Sequence, residues 1–100
     1  MALLKDWLSP TQREQYEREL HFDVIGSTSG RRYRIHHGTQ FNIEELDADG
    51  CGVAALCFAP EGPLAAGDVM LAQKIALETD EVTAVGIANR IGPPPDWRTC

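Results

Sequence analysis

Residues 68–77, DVMLAQKIAL, constrain this chain more than any other stretch. The composition is helical, yet the apolar side chains point almost all the way round. Placed at about 100° per residue, Val69, Met70, Leu71, Ala72, Ile75, Ala76 and Leu77 leave only Gln73, Lys74 and Glu78 on a narrow polar strip. A helix resting on a surface needs one apolar stripe, whereas a helix apolar on most sides must be covered. The spacing therefore predicts a buried helix over 68–78, with the preceding residues as the strands that cover it.

Those residues carry the expected signals. Ser9-Pro10-Thr11-Gln12 is a helix start: Ser9 caps, Pro10 fits the first helical position and Gln12 completes a capping box. This helix is expected to run to about Leu20, anchored by Tyr16 and Leu20, with Trp7 and Leu8 packing back. From His21 the period changes to two. Phe22 and Val24 share a face, then Tyr33 and Ile35 do so, with Arg32, Arg34 and His36 on the other side. Phe41, Ile43 and Leu46 suggest a third strand, and Cys51 to Phe58 a fourth, more uniformly apolar one. Gly26 to Gly30 and Asp47-Ala48-Asp49-Gly50 are turns, the latter suited to a hairpin. Asp68 is expected to cap the buried helix, and Asp80 a second helix over 81–90.

The fold class that follows is α+β. A small antiparallel meander of three to four strands packs on a buried C-terminal helix, with a short N-terminal helix. Residues 1–91 form one domain, and residues 92–100, with Pro93-Pro94-Pro95, a flexible tail. One hundred residues can bury a core without metals or disulfides. Net charge is −6, divided as +1 over residues 1–37 and −7 over residues 38–100. Such a balance disfavours nucleic acid, whose affinity comes largely from neutralised phosphates, and suits solubility or a basic protein partner. MALLKDWL is too short and too charged for a signal peptide, and no stretch approaches a membrane span. Three cysteines without a leader point to a reducing cytoplasm.

Few constellations could carry chemistry. Arg32, Arg34 and His36 form an outward row that could hold a phosphate or carboxylate. The plainer alternative is a solvated strand face paired with Glu44 and Glu45. Cys51 and Cys57 would sit about 20 Å apart on one strand face at ~3.3 Å per residue, too far to share a metal. They read as buried, unreactive thiols, and Cys100 as a free one. The 47–50 turn lacks the ligands of a calcium loop, and Gly26 to Gly30 lacks the lysine of a phosphate loop. Ser27 and Ser29 have no evident base partner. No catalytic residue, metal ligand or cofactor site is expected.

YRIHHG at 33–38, FNIEELDADG at 41–50, CFAPEG at 57–62, GDVMLAQKIALETDE at 67–81 and ANR at 88–90 carry a resemblance. The chain resembles a group of short uncharacterised bacterial proteins, proteobacterial and phage-associated, of unknown function. The resemblance spans roughly Tyr16 to Arg90, is most specific at GDVMLAQK, and implies a compact domain that exists alone. It supplies no activity, cofactor or site residue.

The reading is a small acidic protein-interaction or regulatory domain without catalytic activity. A phage-derived inhibitor of a nucleic-acid-handling complex would have this size and charge. Glu44, Glu45, Asp47 and Asp49 would form its acidic partner surface. The alternative is an anion or nucleic-acid binding module using the Arg32, Arg34 and His36 face, and a small enzyme ranks below both. A homodimer is expected if the outer sheet face carries Phe58 or Leu56 alongside Phe41.

Overall fold

The computed structural model describes residues 3–58 and 65–92. Two helices open the chain, α1 (Leu3–Trp7) and α2 (Pro10–Glu19). Only the second is expected from sequence. Its capping box forms as read: the Gln12 N–H donates to Ser9 Oγ at 3.2 Å, and the Ser9 N–H donates to Gln12 Oε1 at 3.0 Å. Such a cap contributes roughly 1 kcal/mol. Leu20 ends α2 in the left-handed region, φ +60°, and donates its N–H to the Tyr16 carbonyl at 2.9 Å. Leu4 and Leu8 are buried, while Trp7 remains 59% exposed and does not pack back.

The sheet has five strands, all antiparallel, in the order β1 (His21–Ile25), β2 (Arg32–His36), β3 (Ile43–Leu46), β4 (Gly52–Cys57), β5 (Asn89–Ile91). The first four are the expected meander, with Phe22, Val24, Tyr33 and Ile35 facing inward into the core. The 47–50 turn closes by local bonds: Asp47 Oδ1 accepts the N–H groups of Asp49 and Cys51, both at 2.9 Å. Gly50 supplies the positive φ, +82°, that the turn requires.

The fifth strand corrects the expected helix over 81–90. That helix, α4, stops at Ile87; Ala88 is extended, and Arg90 pairs opposite Leu56 at the edge of the sheet. Val85, Gly86 and Ile87 are weak helix formers, and the Arg90 guanidinium finds a buried partner, Glu45, on the inner face. Asp68 is not the cap of the buried helix, α3 (Ala66–Thr79). Ala65 holds that position without a side-chain bond, and Asp68 lies inside the first turn. Since α4 and β5 follow it, α3 is not the C-terminal element.

Burial of α3 is as expected, but its polar strip is turned inward. Val69, Met70 and Leu77 are buried, as are Gln73, fully, and Lys74, while Ile75 is 45% exposed. Gln73 and Asn42 exchange side-chain hydrogen bonds at 2.9 and 3.0 Å, and Gln73 also donates to the Phe58 carbonyl at 3.0 Å. Lys74 pairs with Glu78. With every bond made, these groups lie inside without the cost of an unpaired buried polar atom. The sheet through β1 and β2, α1 and α4 all pack on α3.

Cys57 is a half-buried free thiol, whereas Cys51 is disulfide-bonded, which corrects its reading as an unreactive thiol. An odd cysteine count still leaves room for one bridge. No helix among the described residues is long and apolar enough to cross a membrane. The flexible tail and the Cys100 thiol fall outside the described residues, apart from Gly92.

Candidate functional site

Alternation along β2 places Arg32, Arg34 and His36 on the outer face, as read. They do not form a free anion receptor. Arg34 donates to both carboxylate oxygens of its cross-strand neighbour Asp23, at 2.8 and 3.2 Å, and those bonds raise its pKa against the effect of burial. His36 Nε2 lies 2.9 Å from Glu44 Oε1. The His21 ring meets His36 edge-on at 5.2 Å between centroids. Burial, then the nearby Arg34 and His36, lower the His21 pKa. Arg32 is exposed, and its side chain makes no hydrogen bond or ion pair among the described residues.

The expected acidic surface is likewise divided. Asp47 and Asp49 are exposed in their turn, but Glu44 and Glu45 are buried and paired, so they present no carboxylate to a partner. Both lie on β3, the central strand of five, where each face is covered and a carboxylate remains only with a compensating donor.

The densest polar constellation lies at one end of the inner face. Glu81, the first residue of α4 (Glu81–Ile87), is buried against the β1–β2 turn. Oε1 accepts the N–H groups of Thr28 at 2.9 Å and Ser29 at 2.8 Å. Oε2 accepts the Ser29 and Tyr33 hydroxyls, both at 2.6 Å. The turn also caps the helix: Ser27 Oγ accepts the Glu81 N–H at 3.0 Å, and the Ser27 N–H donates to the Leu77 carbonyl at 3.0 Å. A Cβ on Gly26 would stand 2.3 Å from the Glu81 carboxyl carbon, so glycine is what lets the carboxylate in. Burial alone would raise the Glu81 pKa; the donors from Ser29, Tyr33 and Thr28 outweigh it and bring it down to about 2. Burial and the bond to Glu81 push the Tyr33 phenol upward.

Beside this cradle, Glu45 faces inward opposite Tyr33 and accepts Arg31 on one oxygen and Arg90 on the other. Between the turn and α4 lies a cleft of about 360 Å³, walled by Thr28, Ser29, Arg31 and Tyr33 on one side and Glu81, Val82, Val85 and Gly86 on the other. Val82 is 67% and Ile87 69% exposed. A second cleft, of about 400 Å³, takes in Arg32, Gly30 and Ile25 together with Leu46 and Asp47.

The chemistry of the first cleft follows from its bonds. Ser29 lies within hydrogen-bond reach of a carboxylate, but a carboxylate titrating near 2 is too weak a base to activate a hydroxyl. What a visiting molecule meets is the apolar margin of α4. Among the described residues, no group of three or more His, Cys, Asp or Glu side chains could hold a metal ion.

Sequence reading missed the whole Glu81 constellation. The available signal was a turn with three consecutive hydroxyl residues, Ser27-Thr28-Ser29, between two glycines, but nothing local names a partner more than fifty positions away. No family model, curated protein or solved structure matches the chain.

Proposed function

We propose that this chain is a non-catalytic protein-interaction or regulatory domain that engages its partner through the exposed margin of α4. The observation that carries this reading is the contrast across the first cleft. The polar atoms of Ser29, Tyr33 and Glu81 are engaged with one another, while Val82 and Ile87 stand in solvent on a helix of seven residues. Exposed aliphatic side chains beside a concave surface are the usual makings of a contact patch. The acidic surplus of residues 38–100, with Asp47, Asp49 and Asp80 exposed, favours a basic partner. A nucleic-acid-handling complex, inhibited by a phage-derived protein, fits that charge and the resemblance to short proteobacterial and phage proteins. A cytoplasmic setting belongs to the same reading. The disulfide at Cys51 stands against it, since such bonds persist in oxidising surroundings.

The test is affinity capture with the tagged domain and with a Val82→Asp/Ile87→Asp variant of matching circular dichroism. The variant is expected to lose the stoichiometric partner that the parent retains. An unchanged set of captured proteins would remove α4 from the reading.

Arg32 keeps the anion-binding alternative alive, being exposed at the second cleft. That alternative expects Arg32→Ala to weaken retention on a phosphate resin and to flatten its salt dependence, with Arg34→Ala adding little.

A further inference from the structure

The two outer strands of the sheet, β1 and β5, would ordinarily each present unpaired backbone groups to any neighbouring strand. β5 is blunted by length, three residues, and by the prolines that follow it in sequence. β1 has five residues and alternating apolar side chains, and no proline or lysine protects it. Its protection comes from α2. The Asp23 N–H donates to Gln15 Oε1 at 2.9 Å, and the Asp23 carbonyl accepts Gln12 Nε2 at 2.9 Å. Two side-chain amides thus occupy the donor and the acceptor that an added strand would use.

The glutamines are held in that position. Gln12 also accepts the Ser9 N–H and donates to Glu78 Oε2 at 3.1 Å, and Gln15 Nε2 lies 3.2 Å from His21 Nδ1. The helix that carries them is lightly anchored, with Tyr16 as its one buried residue.

We propose that α2 is an edge guard, and that the surface it covers is a self-pairing strand whose occupant, once the guard is lifted, is β1 of a second copy of this chain. The geometry is its own complement. In an antiparallel hydrogen-bonded pair, two facing residues exchange both N–H···O bonds. A twofold axis at Asp23 would let each Asp23 N–H meet the other copy's Asp23 carbonyl, replacing both glutamine bonds at once. Phe22 then faces Val24 of the second copy on the inner side, a favourable apolar cross-strand pair. The Asp23 carboxylates meet on the outer side, but each is already paired with its own Arg34. This inference is independent of the α4 reading, because it uses the opposite edge of the sheet.

The test is solution molar mass by light scattering on the full chain, for the parent and for Gln12→Glu/Gln15→Ala. Glutamate at position 12 keeps the capping box and removes the donor to Asp23. The parent is expected at the 11.0 kDa chain mass and the double variant at twice that, with native circular dichroism. Adding Asp23→Pro, which deletes the outward N–H, should return the mass to that of one chain. A folded double variant that keeps the parent's mass would overturn the proposal. So would a doubled mass that survives Asp23→Pro. Should the double variant fail to fold, Gln15→Ala alone carries the same expectation. Unfolding of both would make these bonds part of the fold's stability rather than a guard, and would also overturn it.

Discussion

Glu81 and Glu45 are both buried, both lie at the same end of the inner face, and both accept bonds on each oxygen, yet they are neutralised in opposite ways. Glu81 is held by neutral donors: two backbone N–H groups and two hydroxyls. Glu45 is held by two guanidinium groups whose outer parts remain in water. The first arrangement leaves a full negative charge inside, stabilised by fixed dipoles that cannot leave without unfolding the turn. The second spreads its charge over side chains that solvent can also satisfy. The cradle should therefore be the stiffer and more costly to disturb, and the fork the more forgiving and more sensitive to salt.

The largest expected effect comes from Gly26→Ala. The new methyl cannot coexist with the Glu81 carboxylate in place. The side chain can swing out, but only by leaving four donors without an acceptor. A loss of about 3 kcal/mol is expected in urea unfolding. A loss under about 1 kcal/mol would show that the cradle is not the stiff member of the pair.

Acid titration separates the two carboxylates next. The folded pKa of Glu81 lies below its unfolded value of 4.5, at about 2. Its stabilising contribution is therefore complete above the unfolded value and lost as pH falls from about 5 toward 2. Glu81→Gln should be less stable than the parent at pH 7 and approach it near pH 2. The same stability gap at both pH values would deny the depressed titration.

Tyr33→Phe removes a single donor and leaves Oε2 with Ser29. About 1 kcal/mol of destabilisation is expected, less than for Gly26→Ala. The smallest effect belongs to the fork. Glu45→Gln should cost roughly 1 kcal/mol at low salt, and the penalty should shrink in 1 M NaCl while that of Glu81→Gln stays the same. Equal salt responses would erase the distinction between the two sites.

Features written in short-range code were legible. The capping box at Ser9, the alternation that turns Phe22, Val24, Tyr33 and Ile35 inward, and the Asp47–Gly50 turn all depend on residues within a few positions of one another. The order of the first four strands followed because short turns leave few other routes. What sequence could not reveal rests on long-range partners. Gln73 and Lys74 look like a solvent strip until Asn42, Phe58 and Glu78 are found around them. Asn89 to Ile91 looks helical until Glu45 offers its carboxylate to Arg90. Glu44 and Glu45 look like an exposed acidic pair until β3 proves to be the middle strand. Of the candidate site, the outward direction of Arg32, Arg34 and His36 was readable, but their engagement with Asp23 and Glu44 was not.

The stitching of Ser27, Thr28 and Ser29 to the start of α4 has a consequence for how the protein is made. The hairpin tip formed by residues 26–31 is translated early, whereas the carboxylate that fills it lies more than fifty residues downstream. During synthesis the first hairpin must wait with open donors until position 81 clears the ribosome, so the native tip can close only after most of the chain has emerged.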